Sequence, residues 1–353
     1  MKKIVIMLVV ALAAVSVAVT AAFAQGSANK DFCVLLPDSK SSIRWETQDR
    51  PSLVKAFNAA KVSYVITNAD NDAQKQKTQA DQCLANGAKV VILAPLDSGS
   101  GLAIEKAAAA KGAKVIEYDR QVNGSKGVVY VSFDGAKVGV LQGNGVVAGL
   151  KKNGKYSQKP VVAELNGGQT DPNAFLFKSG YDSILKPLYK KGVFVKGPDQ
   201  FTPGWDNQKA RLIFDQMLAK TSNKIDAVAA ANDGLANAVV TALKAKKLKP
   251  IPLSGQDATG PGVQNIISGW QTMTVWKDTR LLAAKAAAFA IALSKGQTPK
   301  TNTVVKNGSA KQAAYIYPPV AITKANFRQL FNGYLKKSEV CVGVYAKYCV
   351  KPA

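Results

Sequence analysis

The sequence contains no histidine, and it has about half as many acidic as basic residues. Its 353 residues include 47 Lys and Arg against 23 Asp and Glu, which gives a formal net charge of +24. The absence of His excludes Ser-His-Asp hydrolase chemistry, His general bases and His-ligated zinc sites. The excess of Lys could indicate a nucleic-acid partner or an anionic surface. The lysines are spread over predicted helix faces and linkers, however, with no aromatic-basic cluster, so we interpret them as a solvated basic surface and expect no nucleic-acid partner.

Long apolar runs are also scarce, and the one present lies at the N-terminus. Lys2 and Lys3 precede an apolar stretch from Ile4 to Val19, and Ala22-Phe23-Ala24 gives a small-x-small cleavage pattern. This pattern predicts a signal peptide over residues 1–24, cleaved after Ala24, and a periplasmic mature protein. An uncleaved membrane anchor is the alternative. No later segment approaches the roughly 20 apolar residues that span a bilayer.

Cysteine is limited to four residues. In an exported chain this number predicts two disulfides, with three possible connectivities. Cys341 and Cys349 lie close together in sequence, which favours a local bridge. Cys33, at a strand start, would then pair with Cys83, near a helix end, since both ends share one edge of a parallel sheet. The sequence leaves the connectivity open.

The chain alternates short β-rich runs with helical stretches rich in Ala, Lys and Gln. The predicted strands are Phe32–Leu36, Val62–Thr67, Val90–Ala94, Lys114–Tyr118, Val128–Phe133, Val161–Leu165, Val193–Val195, Ala227–Ala231, Pro250–Ser254 and Thr272–Trp276. Such alternation predicts an α/β fold with a mostly parallel sheet covered by helices on both faces. Because ten strands exceed one comfortable open sheet, we expect two doubly wound lobes, with hinges near residues 134, 257 and 296.

Carboxylates and amides follow almost every predicted strand, at the edge where open α/β sheets bind ligands. A short carboxylate after a strand often only caps the next helix, and we interpret Asp70, Asp97 and Asp199 in this way. The remaining residues form a candidate site in one cleft. They are Arg44, Trp45, Asp119, Arg120, Asp134, Asn173, Trp205, Asn232, Asp257 and Lys277.

This set of side chains suits a sugar. Each sugar hydroxyl can donate one hydrogen bond and accept others, so carboxylates matched with Arg, Lys and Asn satisfy both roles, and charged partners strengthen these bonds. Trp45 and Trp205 would supply faces for the C–H surfaces of the ring. Buried Arg–Asp pairs of purely structural role are the alternative for any single residue. Trp270 and Trp276 are better interpreted as packing residues.

Seven motifs resemble, in order, the periplasmic sugar receptors of ABC importers, of the xylose-binding and multiple-monosaccharide type. They are "SSIRW", "YDRQVN", "VSFDGAKVGVLQG", "TDPNAF", "AAANDG", "LSGQDA" and "MTVWKDTRLLA", within about residues 31–332. The resemblance implies the type I periplasmic binding protein fold, with two lobes joined by three crossings and sugar contacts from the ten residues above. We assign residues 31–134 and 258–296 to the N-terminal lobe and 135–257 and 297–332 to the C-terminal lobe. Residues 333–353 form a tail with a Cys pair that departs from the family pattern.

The sequence therefore predicts a solute receptor rather than an enzyme. We expect a monomer that needs no cofactor or metal, binds a neutral aldopyranose (xylose first, then glucose, galactose or arabinose) and delivers it to an ABC permease. A chemoreceptor is a further possible partner. A glycoside hydrolase with paired carboxylates is the enzyme alternative, but cationic and amide partners should lower the carboxyl pKa values that such an acid needs raised. A sugar-responsive regulator would need a helix-turn-helix where this chain has its export signal.

Overall fold

The computed structural model describes residues 31–39, 42–125 and 127–350. The strands are β1 Phe32–Leu36, β2 Tyr64–Asn68, β3 Val90–Leu93, β4 Lys114–Tyr118, β5 Val129–Phe133, β6 Val161–Asn166, β7 Val195–Phe201, β8 Ala227–Ala230, β9 Met273–Trp276, β10 Thr303–Asn307, β11 Ala310–Tyr317 and β12 Val320–Thr323. The helices are α1 Arg50–Ala60, α2 Ala73–Ala85, α3 Ser98–Ala110, α4 Gly135–Lys152, α5 Pro172–Lys190, α6 Asn207–Lys220, α7 Asp233–Ala245, α8 Gly260–Ile267, α9 Thr279–Ser294 and α10 Lys337–Val340. The expected signal peptide, residues 1–24, lies outside the described residues.

The first lobe is built on a seven-stranded sheet with the order β10-β11-β5-β4-β3-β1-β2. Its strands β1 to β5 are parallel, and β1, β3 and β5 are buried along their whole length, as in a sheet covered on both faces. Leu53 and Phe57 of α1 pack with α9 on one face, while Ile104 of α3 packs with α2 on the other. The predicted doubly wound α/β architecture is confirmed for this lobe.

The second lobe has β6 at its centre, flanked by β7 and β8 in parallel. A single parallel bridge joins Val228 to Leu253, and backbone bonds from residues 253–257 lead on to β9, which pairs antiparallel with β12. Helices α4 and α5 pack very closely on this sheet. A Cβ on Gly139 would lie 1.9 Å from the carbonyl oxygen of Phe177, so only glycine permits this crossing.

Two predicted strands differ from the structure. Pro250–Ser254 contributes only the bridge at Leu253, because Pro250 and Pro252 have no N–H to donate to a ladder. The strand predicted at Val193–Val195 is instead β7, which starts at Val195 and continues through Gly197 and Pro198. Proline and glycine are tolerated there because β7 is an edge strand.

The chain crosses between the lobes three times, and two crossings are not where the sequence predicted them. The first crossing lies at Asp134, between β5 and α4. The second lies at residues 277–278 rather than 257, because β9 still belongs to the second lobe, where Met273 and Val275 join its core. The third lies at residues 318–319 rather than 296, because β11 pairs with β5 of the first sheet. Residues 258–276 therefore belong to the second lobe and 303–317 to the first, contrary to the predicted boundaries.

Both predicted disulfides are present. Cys33 pairs with Cys83 in the first lobe, with 6.1 Å between their Cα atoms, and Cys341 pairs with Cys349 in the C-terminal tail, with 5.9 Å. The tail packs against α8, and the Gln48 side chain of the first lobe donates a 2.8 Å hydrogen bond to the carbonyl oxygen of Tyr334. Within the described ranges, no helix combines the length and the apolar character needed to cross a bilayer.

Candidate ligand-binding site

Asp119 stands where the lobes meet, directly after β4. Its Oδ2 atom accepts hydrogen bonds from Arg44 Nη1 at 2.9 Å and from Lys277 Nζ at 3.1 Å. Asn173 Nδ2, at the start of α5 in the second lobe, lies 3.2 Å from Oδ1 and 3.0 Å from the main-chain oxygen. All four side chains are buried, so one carboxylate collects donors from both lobes and from a crossing segment.

Arg44 is held in place by a turn of π-helix. Residues Trp45–Asp49 form this turn, in which the N–H of Arg50 bonds to the carbonyl oxygen of Trp45, so residues five apart share a face. Both carboxylate oxygens of Asp49 therefore bind one edge of the Arg44 guanidinium, with distances of 2.9 Å to Nε and 3.0 Å to Nη2. The Arg44 Cζ atom lies 4.3 Å from the ring centroid of Trp45. Arg44 and Trp45 thus form a rigid wall of the cleft.

A second ion pair joins the lobes beside the first. Arg120 Nε of the first lobe lies 2.8 Å from Asp171 Oδ2 of the second. The same oxygen accepts a 3.1 Å hydrogen bond from Trp205 Nε1, while Asp171 Oδ1 caps α5 by accepting from the N–H of Asn173. Asp171 thereby fixes the side chains of Arg120 and Trp205 and the helix that carries Asn173.

The remaining polar wall comes from the strand ends of the second lobe. Asp257 Oδ2 accepts a 2.8 Å hydrogen bond from Ser42 Oγ, and its Oδ1 lies 3.9 Å from Arg44 Nη1. Asn232 caps α7 through its Oδ1, which accepts from the N–H of Leu235, and the residue lines the cleft. Gln256 Oε1 and Trp45 Nε1 are buried and have no hydrogen-bond partner among the described residues. Buried polar atoms normally have partners, and both of these residues line the cleft.

Three residues of the site have left-handed backbone conformations. The φ angles are 62° at Asp119, 57° at Trp205 and 102° at Asp257. Non-glycine residues seldom adopt such angles, which cost of order 1–3 kcal/mol each when sparsely populated regions are occupied. The packing of the strand ends maintains these conformations and aims the three side chains into the space between the lobes.

The carboxyl groups of the site differ in their pKa values. Burial opposes ionisation of Asp119, but Arg44, Lys277 and Arg120 outweigh it and hold the pKa well below its usual range. Burial raises the pKa of Asp171 and of Asp257 despite their cationic neighbours. The expectation that partners lower every carboxyl pKa in the cleft is therefore wrong for these two residues.

These side chains line a cleft with about 320 Å³ of space not filled by protein atoms, part of which is open to solvent. The lining residues are Ser42, Arg44, Trp45, Asp119, Arg120, Asn173, Phe177, Trp205, Asn232, Gln256, Asp257 and Lys277. The structure thus brings together nine of the ten side chains proposed from the sequence. Asp134 is the exception: it is exposed, and its Oδ1 caps α4 by accepting from the N–H of Lys137 at 2.9 Å. The carboxylate there serves the helix and not the cleft.

Sequence reasoning missed three residues that line the cleft, Ser42, Phe177 and Gln256. It also missed Asp49 and Asp171, which hold lining side chains in place. Ser42, Gln256 and Asp171 lie inside quoted motifs, and Asp49 falls one π turn after Arg44. Phe177 follows Asn173 by four residues, one helical turn, which was the available signal for it. Among the described residues, no group of three or more His, Cys, Asp or Glu side chains could hold a metal ion.

Two α/β lobes with a buried polar and aromatic cavity between them define a two-lobed ligand-binding protein. Comparisons agree with this class. Residues 33–298 match the family described as "Periplasmic binding protein domain", so the chain belongs to the periplasmic binding protein family. Its members are solute-binding proteins, and this chain is a binding protein and not an enzyme.

Curated relatives and solved structures match most of the chain. It is 33% identical over 300 residues to the D-xylose-binding periplasmic protein of Escherichia coli (strain K12), covering 84% of this chain and 88% of that one. It is 35% identical over 362 aligned positions to the multiple sugar-binding periplasmic receptor ChvE of Rhizobium radiobacter, covering 96% and 100%. An ABC transporter solute-binding protein from Clostridium phytofermentans, solved with bound β-D-glucose, superposes with a TM-score of 0.82 at 29% identity, covering 88% and 99%.

Proposed function

We propose that this protein is an exported receptor that captures one neutral monosaccharide between its lobes and delivers it to an ABC permease. The arrangement around Asp119 carries the proposal. The buried carboxylate of Asp119 is a hydrogen-bond acceptor, and Arg44, Lys277 and Asn173 of the other lobe are donors grouped around it in one small volume. Vicinal hydroxyls, each both donor and acceptor, match such an array.

The balance of charge favours an uncharged ligand. In and directly behind the cavity, carboxyl groups at least equal the cations in number: Asp49, Asp119, Asp171 and Asp257 stand against Arg44, Arg120 and Lys277. No surplus positive charge remains for a sugar acid or a sugar phosphate. The net charge of +24 belongs to the whole chain, and exposed charges are screened beyond about 8–10 Å at physiological salt.

The aromatic residues favour a pyranose ring. Trp45 lines the cavity from the first lobe, and Phe177 and Trp205 line it from the second. Flat rings pack well against the weakly apolar C–H faces of a sugar, as in other ligand pockets with aromatic walls. We place xylose first among the ligands, with glucose, galactose and arabinose as competitors. The xylose-binding relative and the glucose-bound structure support this order.

The proposal includes the protein's partners and maturation. The receptor acts as a monomer, releases the sugar to a permease and can also present its closed form to a chemoreceptor. Its leader is removed after Ala24, so the functional chain starts at Gln25.

A thermal-shift panel of neutral and acidic monosaccharides on the mature protein tests the ligand class. A ligand at a thousandfold its Kd stabilises the folded state by about 4 kcal/mol, which is easily seen as a rise in Tm. We expect neutral aldopyranoses to raise Tm, and uronates and sugar phosphates to leave it unchanged. A shift with charged sugars only would refute the assignment, and release of an aryl group from an aryl glycoside would contradict the binding role.

A further inference from the structure

The strands of the second lobe start at the end of the lobe that lies opposite the cavity. Strands β6, β7 and β8 run in parallel with Val161 opposite Val195 and Val162 opposite Ala227. A parallel bridge then places Leu253 beside Val228. The segments that lead into these strands, residues 151–160, 190–194, 220–226 and 244–251, therefore meet at one end of the lobe. The cavity residues follow the opposite ends of the same strands.

These four segments carry a dense group of lysines, here called the lysine pole. Its members, all exposed, are Lys151, Lys152, Lys159, Lys190, Lys191, Lys220, Lys224, Lys244, Lys246, Lys247 and Lys249. None of the eleven forms an ion pair with a carboxylate in the described part of the chain. Asp226 is the one acidic residue in the four segments, and Lys155 already engages it. The pole is therefore a large unneutralised positive surface.

Helix dipoles account for only part of the pole. Cations in the last helical turn are stabilised by the dipole, which explains lysines such as Lys151 and Lys190. Lys246 and Lys247 directly follow the end of α7 and also benefit from its dipole, whereas Lys159 and Lys249 lie several residues beyond the helix ends, where the dipole effect has fallen off. Lysines gathered at one end of a lobe repel one another and destabilise the folded protein. An anionic partner at this surface would remove that repulsion.

The corresponding end of the first lobe is less basic. This end carries six exposed lysines, Lys61, Lys111, Lys114, Lys295, Lys306 and Lys311, against eleven in the pole, while Lys89 pairs with Asp31 at 2.8 Å. The lobes share one architecture but differ in charge at this end. The overall excess of Lys therefore does not explain the pole.

Two aromatic rings lie among the pole's lysines. Trp270, just before β9, has Lys244 Nζ 4.9 Å from its ring centroid, and Tyr156 has Lys151 Nζ at 5.1 Å. Both rings are half-buried at this end of the lobe. Trp and Tyr side chains are enriched where membrane proteins meet the lipid headgroups.

We propose that the lysine pole docks the receptor on the surface of an anionic phospholipid bilayer. The lysines come from four segments spread over one end of the lobe, which suits a plane of phosphate groups. The cavity, at the opposite strand ends, stays open to the solution. Each lysine close to an anionic membrane strengthens binding by roughly fivefold, equivalent to about 1 kcal/mol.

Vesicle co-sedimentation of the full mature protein tests the docking. The probe is phosphatidylcholine vesicles with or without phosphatidylglycerol, at low and at high salt. Lys191→Gln/Lys246→Gln/Lys247→Gln removes three charges from the pole, and Lys61→Gln/Lys111→Gln/Lys114→Gln is the matched control from the first lobe. All six residues are exposed, so both variants should keep the wild-type Tm and sugar binding.

We expect binding only to the anionic vesicles, loss of binding at high salt, and about a hundredfold weaker binding for the pole variant. The control should change by no more than a few-fold. Equal binding to vesicles without phosphatidylglycerol would overturn the proposal, as would equal losses in the two variants. Duplex DNA that binds as tightly as the vesicles, with the same dependence on the pole, would overturn the assignment to a membrane.

Discussion

Asn173 Nδ2 of the second lobe lies 3.0 Å from the main-chain oxygen of Asp119 in the first. Arg120 and Asp171 form a second tie between the lobes, 2.8 Å long. The two lobes are thus held at the cavity by buried polar contacts and not only by apolar packing. Such contacts form only when the lobes are closed, since each needs donor and acceptor at hydrogen-bond distance.

Closure should depend on the ligand. We expect hinge bending at residues 134, 277–278 and 318–319 to separate the lobes when sugar is absent, because Arg44, Asp119 and Arg120 regain hydration in an open cleft. Small-angle X-ray scattering should show a smaller radius of gyration with a stabilising sugar than without it. Identical scattering in the two conditions would contradict this motion.

Asp119→Asn should remove most of the affinity. The substitution keeps the size of the side chain but leaves Arg44 and Lys277 buried without their shared carboxylate. Breaking a buried ion pair costs about 3–5 kcal/mol, so calorimetry should show a Kd raised by at least about a hundredfold. The control is Asp134→Asn, which keeps a capping side chain at an exposed position outside the cavity. Loss of binding in that control would show that Asp134 reaches the ligand.

Trp205 should contribute through its ring face. Trp205→Ala removes the ring, whereas Trp205→Phe keeps a flat face and loses only the Nε1 bond to Asp171. We expect affinity to fall in the order wild type, Phe, Ala, measured by calorimetry on protein that remains folded. Truncation of a buried aromatic residue also costs about 3–5 kcal/mol of stability. Trp270→Ala, at the far end of the lobe, is the control, and its sugar affinity should match that of the wild type.

Asp233 should make stability depend on pH. Burial raises the pKa of this carboxyl to about 7, although the N–H of Thr259 and the amide of Gln271 donate hydrogen bonds that oppose the rise. The folded chain therefore retains a proton that the unfolded chain releases from about pH 4 upward. The free energy of unfolding should fall as pH rises from about 4 to about 7, by at most about 4 kcal/mol.

Asp233→Asn separates this effect from other titrations, because the variant cannot ionise at this position. In denaturant unfolding, the stability of the variant relative to wild type should improve between about pH 5 and about pH 8. A constant difference across that range would show that Asp233 titrates outside it.

The strands of the two sheets were predicted more accurately from the sequence than the positions at which the chain crosses between the lobes. Fully apolar runs such as Phe32–Leu36 signal a strand covered on both faces, and these elements are confirmed. Which sheet receives β11 depends on its pairing with β5, nearly two hundred residues earlier, and no local pattern encodes that choice. The crossing predicted near 296 was wrong for this reason, and the one predicted near 257 was wrong because β9 packs in the core of the second lobe.

The same limit applied within the site. Asp134 and Asp119 both follow a strand of the first sheet, and only the closed structure shows that one caps a helix while the other collects donors from both lobes. Gln256 and Asp171 are inconspicuous in sequence because their importance comes from burial. The lysine pole escaped notice because its members are scattered over about a hundred residues and meet only through the parallel strand order.

Neither lobe is one continuous stretch of chain, and this affects the order in which the molecule can be completed. The chain is synthesised from its N-terminus, so β1 to β5 exist long before β11. Only then can Ile316 of β11 pair with Ser132 of β5. Until then β5 has an unpaired edge, which is a hazard for association with other nascent chains. The first lobe can finish folding only after most of the second has been synthesised, so the two lobes mature together and not in succession.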